Sequence, residues 1–243
     1  MHCHILPGID DGARDEETSL RMLEQESREG AKAVIFTPHF KPSHRNASPQ
    51  QVIDLTDRLQ DLTDEIGLKL DLYPGNEILY FGEVPELLAQ GKILTLAGSD
   101  HVLIEFHPAD PYDRIRQGVY EILAAGFVPV LAHVERYNCI LEHPERADEL
   151  IGMGGRIQVN AMSVLGKSGF RIRQFTRNLI RNDRVDFLST DAHDLKYRPV
   201  KLKECAMFVC RKYGKACAQR ILYANAQEII LSGAGADETE SEE

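Results

Sequence analysis

Phe127-Val-Pro-Val-Leu-Ala-His133 is a run of six apolar residues that stops on a histidine. Just upstream, Ile115, Val119, Ile122 and Leu123 recur at helical spacing, and Gly126 closes that pattern. A helix ending on glycine and leading into a short apolar run with β-branched residues is half of a repeating β/α unit. The unit recurs along the chain. Ala33-Val-Ile-Phe-Thr37, Leu68-Lys-Leu-Asp-Leu-Tyr73, His101-Val-Leu-Ile-Glu105, Arg156-Ile-Gln-Val-Asn160 and Val185-Asp-Phe-Leu-Ser189 have the length and composition of buried strands, and the first residues of the chain are read as another. Helical stretches lie between them. Asp15 to Glu29 turns Leu20 and Leu23 inward and stops at Gly30, and Ser48-Pro-Gln-Gln51 is a capping box opening a helix that carries Val52, Leu55, Leu59 and Leu62 to Gly67. Further helices are expected at Glu145–Met153, Phe170–Arg181, Leu202–Tyr213 and Asn225–Leu231. Repeated β-then-α units predict a parallel sheet or barrel.

The 243 residues suit one large domain, since α/β barrels reach this size as single units. No linker, internal repeat or second domain is visible. Ser232 to Glu243 is Gly/Ala-rich and then acidic, and disorder is expected there. The net charge of −10 argues against a sequence-independent nucleic-acid binder, which needs a basic face. No apolar run reaches 18 residues, so no membrane insertion is expected. With no visible export signal and five irregularly spaced cysteines that form no C-x-x-C pair, free thiols in a reducing cytoplasm are expected.

The chemistry collects where the predicted strands end. Pro38-His39 follows the run ending at Thr37, and Pro-Gly-Asn-Glu77 follows Tyr73. Glu105, His133 and Asn160 close their own runs, and Asp191-Ala-His193 follows Val185–Thr190. In barrels of parallel strands these ends meet at one mouth. His2 and His4, two residues apart in an extended segment, face the same side, and the loop Ile5-Leu-Pro-Gly-Ile9 brings Asp10-Asp11 back toward them. Five of the nine histidines fall on this rim. His44, His101, His107 and His143 do not, and are read as structural or surface residues. A lone rim histidine or glutamate has an ordinary solvated explanation, but placement at one strand end after another does not arise from independent accidents.

Histidine and carboxylate without cysteine suit manganese, iron or zinc in an open, catalytic site. The candidates exceed one ion's needs, so two or three ions with a bridging carboxylate are implied. Such clusters acidify a bound water and clamp a phosphoryl oxygen, which predicts phosphoester hydrolysis by a hydroxide held at the metals. Arg136 and Arg198 follow rim histidines by three and five residues, and arginine forks match phosphate. A competing motif, Cys205-x5-Arg211, has the spacing of cysteine-dependent phosphatases. It contains no glycine and continues an amphipathic helix, so its backbone donors are already used.

His2-Cys-His4, Thr37-Pro-His39, Gly75-Asn-Glu77, Glu105, His133-Val-Glu-Arg136 and Asp191-Ala-His193 together resemble the polymerase-and-histidinol-phosphatase (PHP) superfamily. More narrowly, HILPGIDDG, FTPH, AHVERY and the S-x-D-A-H-x4-R string resemble the manganese-dependent tyrosine-protein phosphatases of bacterial capsule and exopolysaccharide operons, in order from His2 to about Leu231. The resemblance implies an α/β fold, a distorted seven-stranded TIM-like (β/α) barrel, over residues 1–231. It implies three divalent ions, manganese foremost with iron or zinc as alternatives. His2, His4, Glu77 and Asp191 would hold the first, and Glu77 would bridge to a second held by Glu105 and His133. Asp11, with Asp10 as its alternative, His39 and His193 would hold the third. Arg136 and Arg198 would grip phosphate. The implied substrate and partner is the phosphorylated tail of a bacterial tyrosine kinase that controls polysaccharide synthesis. Family members carry residues before the first histidine, including an aspartate two positions ahead. Met1 directly precedes His2 here, so either the first strand is truncated or the start codon is misplaced, and a carboxylate that would orient an imidazole is missing. The alternatives are a phosphatase of the same superfamily acting on a small phosphoester such as histidinol phosphate, and a non-catalytic docking domain, against which the filled ligand positions argue.

Overall fold

The computed structural model describes residues 1–240. Eight strands run parallel to their partners: β1 (Ala33–Ile35), β2 (His39–Phe40), β3 (Asp71–Tyr73), β4 (Glu77–Leu79), β5 (His101–Glu105), β6 (Val128–Leu131), β7 (Arg156–Asn160) and β8 (Phe187–Ser189). Six form one curled sheet in the order β2-β4-β5-β6-β7-β8, and β1 pairs with β3 separately. The helices between them supply the crossovers that parallel strands require. The predicted punctuation holds. Asp15 caps helix Glu16–Glu29, Gly30 ends it at φ 103°, and Ser48 and Gln51 form a reciprocal capping box at Pro49–Glu65.

A closed seven-stranded barrel is not what the backbone pairing gives. β1 and β2 belong to one stretch of chain interrupted at Thr37-Pro38, and β3 and β4 to another interrupted at Pro74-Gly75-Asn76. Proline has no N–H for a ladder, so pairing stops at each. Asn76 staples the two breaks, donating from Nδ2 to the Pro38 carbonyl at 3.1 Å and accepting the Leu94 N–H at 3.0 Å. The first residues, expected as a strand, make only an isolated parallel bridge, Cys3 to Ala192. Three further bonds hold this segment between the chain ends after β1 and β8: Thr37 N–H to the Cys3 carbonyl, His4 N–H to the Ala192 carbonyl and Asp191 N–H to the His2 carbonyl.

Strand alternation sorts the side chains. On β5, Val102 and Ile104 pack outward against helix residues such as Ile115, Val119 and Ile122, while Leu103 turns inward with Val130, Ala132, Phe187 and Ile35. On β7, Ile157 and Val159 pack outward, which leaves Gln158 and Asn160 on the inner face. The inner apolar group forms a floor beneath the polar residues at the strand ends. Removing Leu103 from it by Leu103→Ala would cost ~2–5 kcal/mol.

The tail for which disorder is expected begins at Ser232. The last helix runs Asn225–Glu240, not stopping at Leu231, while residues 241–243 lie outside the described residues. Gly233 explains the continuation, because a Cβ there would stand 1.9 Å from the Ala97 carbonyl oxygen. Glycine lets the helix lie directly on the Leu96–Gly98 turn.

Candidate metal centre

His2 and His4 flank Cys3, whose side chain turns away to the Ile35 carbonyl. Both imidazoles are 1% exposed. His2 Nε2 lies 3.2 Å from Glu77 Oε1 and 3.4 Å from Asp191 Oδ1, and His4 Nε2 lies 3.3 Å from Glu77 Oε2 and 3.6 Å from the same Asp191 oxygen. The loop after His4 returns as the sequence predicts, with Ala13 N–H on the His4 carbonyl. Gly12 is required for that return, since its Cβ would meet the His4 oxygen at 2.0 Å.

The return separates the two neighbouring aspartates. Asp10 accepts from His4 Nδ1 at 2.7 Å, from Gly12 N–H at 2.9 Å and from His39 N–H at 3.1 Å. Burial opposes its ionisation, but these bonds win and draw its pKa down to about 2. Asp10 is therefore spent on orienting His4. Asp11 remains open: its side chain is 63% exposed, with Oδ1 at 3.2 Å from His39 Nε2 and 3.6 Å from His193 Nε2.

Glu77 is the hub. Its carboxylate lies 2.8 Å from His133 Nε2 and 2.9 Å from His39 Nδ1, besides His2 and His4. Burial alone would raise its pKa, but the charges and bonds of His2, His133 and His39 hold it well below the usual carboxylate range. Glu105 stands 3.5 Å from His133 and 3.6 Å from His39, and burial with the Glu77 charge pushes it up to about 7. Burial works against charge on His4 too, yet Asp10 and Glu77 draw it up to about 10. Burial and the neighbouring His4 and Arg198 push His193 down to about 3.

Four groups bring ligand atoms within 4.8 Å of one another: His4-Asp11-His39-His193, His2-His4-Glu77, His2-His133-Asp191 and His39-Glu77-Glu105. Together they contain all nine residues named from the sequence. The partition differs from the implied one, since His4 joins the third set and His39 takes the place of His133 beside Glu105. A cation fits this arrangement on one observation. His2 Nε2, His4 Nε2, His39 Nδ1, Glu77 Oε2, His133 Nδ1, Asp191 Oδ1 and His193 Nε2 are buried without a hydrogen-bond partner, whereas buried polar atoms are ordinarily satisfied.

Arg136 and Arg198 are the half-exposed members of the rim. One Nη2 of each lies on Asp191 Oδ2, at 2.6 and 2.8 Å. A guanidinium carries five N–H donors, so most remain for another oxyanion. His133 and Asp191 both take left-handed backbone conformations, at φ 33° and 53°, which bulky residues rarely adopt and which cluster at functional sites. Of the histidines set aside, His101 pairs with Asp100 at the start of β5, away from the mouth. Cys205 is fully buried within helix Lys203–Tyr213, and burial pushes its thiol up to about 12, so no thiolate is available there.

Gln158 and Asn160 are site residues that the ligand search by residue type passed over. Their signal was the two-residue spacing on β7, which puts both on the inner face.

The chain is similar to known proteins over nearly its whole length. The chain is 32% identical to the tyrosine-protein phosphatase YwqE of Bacillus subtilis over 234 residues, covering 95% of this chain and 90% of that protein. It is 29% identical to the tyrosine-protein phosphatase CpsB of Streptococcus agalactiae, covering 95% and 97%. A solved structure from work on YwqE of Bacillus subtilis and CpsB of Streptococcus pneumoniae, described as unique metal-dependent tyrosine phosphatases, superposes with a TM-score of 0.89 at 30% identity, covering 95% and 93%. Histidinol phosphate phosphatase from Lactococcus lactis shares the fold, with a TM-score of 0.61 at 14% identity and coverage of 93% and 96%. Residues 1–231 match the CpsB/CapC model of capsular polysaccharide synthesis, and the chain belongs to that family.

Proposed function

We propose that residues 1–231 work as one metal-dependent protein-tyrosine phosphatase of capsular or exopolysaccharide synthesis, acting on the phosphorylated tail of a bacterial tyrosine kinase in the cytoplasm. The observation that carries the reading is the set of orphaned, buried imidazole and carboxylate atoms that converge at the strand ends beside two half-exposed arginines. His2, His4, Asp11, His39, Glu77, Glu105, His133, Asp191 and His193 would hold three divalent ions, manganese foremost, with iron or zinc fitting the same donors. Such ions supply an acidified water and neutralise charge on a phosphoryl oxygen. The chain's own residues do the rest. Arg136 and Arg198 grip the non-bridging oxygens and strengthen that grip as charge builds on them. Asp10 holds His4, and the Asp191 carbonyl holds His193 through Nδ1 at 3.0 Å, so both rings present Nε2 to the cluster. The curled sheet with the chain's first residues bridged between β8 and Thr37 supports a distorted seven-segment barrel as the frame. Among the described residues no helix is long and apolar enough to cross a membrane, which agrees with a cytoplasmic site of action.

The fold shared with histidinol phosphate phosphatase keeps a small phosphoester as the second reading. Purified protein assayed with manganese on a phosphotyrosine peptide, histidinol phosphate and nucleotide monophosphates separates them. The peptide is expected to exceed the others in kcat/KM by at least about tenfold. Preference for histidinol phosphate would overturn the tyrosine assignment and leave the metal assignment standing.

A further inference from the structure

Four imidazoles of the cluster, those of His2, His4, His133 and His193, turn Nε2 inward. For His4 and His193 the reason is plain, because Nδ1 meets an oxygen that can only accept: Asp10 Oδ2 and the Asp191 carbonyl. His2 is different. Its Nδ1 meets the side-chain amide of Gln158 at 3.1 Å, and an amide offers a donor on one side and an acceptor on the other.

The neighbours of Gln158 resolve which side faces His2. Gln158 is fully buried on β7. Its Oε1 takes the His133 backbone N–H at 2.6 Å, and its Nε2 donates to Asn160 Oδ1 at 2.8 Å. Asn160 Nδ2 in turn donates to Asp191 Oδ2 at 3.0 Å. Both ends of this chain have one possible polarity. A backbone N–H only donates, and an ionised carboxylate only accepts. Asp191 Oδ2 also takes an N–H from Arg136 at 2.6 Å and from Arg198 at 2.8 Å, groups that only donate, so this oxygen stands as an acceptor. Asn160 must therefore turn its NH2 to Asp191 and its oxygen to Gln158. Gln158 must turn its NH2 to Asn160 and its oxygen to His133 and His2. An oxygen facing His2 Nδ1 requires a proton on Nδ1.

We propose that Gln158 and Asn160 form a directional amide relay, anchored on the His133 N–H and the Asp191 carboxylate, that holds a proton on His2 Nδ1 and so points Nε2 at Glu77 and Asp191. Gln158 and Asn160 are positioning residues. Asn160 itself is placed by a further bond, its backbone N–H on the buried Glu135 Oε1 at 3.0 Å. The relay also ties a histidine contributed by the chain's first residues to β7, across 156 residues of sequence.

The consequence for metal affinity rests on the proposed metal assignment, whereas the Nδ1 proton does not. The test is therefore read first on metal-free protein. Nitrogen-15 NMR of the imidazoles reports whether His2 Nδ1 carries a proton. The parent protein is expected to show His2 as Nδ1–H, and Gln158→Leu is expected to shift it toward Nε2–H. Gln158→Glu keeps an oxygen on His2 and is expected to keep Nδ1–H, which a merely space-filling role would not distinguish from leucine. Competition with a chelator should then show divalent-metal affinity falling about 10–100-fold in Gln158→Leu, as for other groups that orient metal-binding histidines. Should Gln158→Leu fail to fold, the parent spectrum alone decides the polarity, and Asn160→Leu, which removes the partner of the Gln158 NH2, takes its place. His2 found as Nε2–H in the parent, or a tautomer and affinity indifferent to both Gln158→Leu and Asn160→Leu, would overturn the relay. Absence of metal binding in a parent that shows Nδ1–H would instead overturn the metal assignment and leave the relay intact.

Discussion

Glu77 and Glu26 are both buried glutamates in one small molecule, and their environments push them in opposite directions. Glu77 sits at the mouth among four imidazoles, which hold its carboxyl well below the ordinary range against the effect of burial. Glu26 sits on a cavity of about 450 Å³ lined also by Val34, Tyr73, Phe187 and Ser189. There burial dominates. The chain's amino terminus and a bond from Thr190 oppose it, Glu29 adds to it, and the carboxyl is pushed up to about 7. Burial of a carboxylate is thus not what marks the mouth of the curled sheet. What marks it is compensation: opposite groups brought to one place from β4, β5, β6, β8 and the chain's first residues, with lone pairs left over.

The comparison breaks most visibly at Glu77. Glu77→Gln removes the charge facing every imidazole at once. It should abolish metal retention and lower kcat/KM on an aryl phosphate by more than ~10³, beyond the loss of a single oxyanion donor. Elemental analysis with steady-state kinetics checks it, and a metal-replete, active variant would deny Glu77 its place as hub. Arg136→Ala and Arg198→Ala come next. Each should cost about 10²–10³ in rate with metal content unchanged, and Arg→Lys should restore little because an ammonium lacks the planar fork. Lost metal in these variants would mean that the arginines act through Asp191, which both touch.

The mouth can be sharpened further by setting two neighbours against each other. Asp10→Ala should weaken metal binding about 10–100-fold by freeing the His4 ring, with chelator competition as the readout. Asp11→Ala should leave the His4 Nδ1–H bond intact by NMR while still lowering metal affinity. The opposite result for the pair would reverse their assignment. The smallest effect belongs to Glu26. A carboxyl whose folded pKa is raised from 4.5 to about 7 binds more protons folded than unfolded across that window. Its contribution is present below about pH 4.5 and is lost as pH rises through about 7. Glu26→Gln should therefore be more stable than the parent by ~1–3 kcal/mol at about pH 8 and nearly equal to it at about pH 4.5. Denaturation at both pH values checks the sign, and aryl phosphatase activity should stay within about threefold, since Glu26 lies outside the cluster that acts on phosphate.

The β/α alternation was legible because apolar runs and glycine stops are local signals. β5 and β7 run over the residues their patterns suggested, His101–Glu105 and Arg156–Asn160. β2 and β4 were not legible as strands. Each is two or three residues long and follows a proline break, and each pairs only because Asn76 and the Pro38 carbonyl hold the breaks in register. The nine candidate ligands could be named because ligand chemistry restricts residue type. Choosing between Asp10 and Asp11 needed the Gly12 turn in three dimensions. Asn160 stands at a strand end and Gln158 two residues before it, but neither is a common metal ligand, and their bonds show what they do. The helix beyond Leu231 escaped a composition argument because one close contact, Gly233 on Ala97, outweighs a weakly apolar stretch.

The central claim is that the mouth is a metal-dependent phosphotyrosine-hydrolysing site. The most direct test strips the purified protein with chelator, dialyses it exhaustively, and follows phosphate release from a phosphotyrosine peptide while manganese is titrated back and metal per chain is counted. Activity is predicted to vanish in the stripped protein and to return in proportion to bound metal, with no return in Glu77→Gln. Undiminished hydrolysis by protein shown to be metal-free would contradict the account.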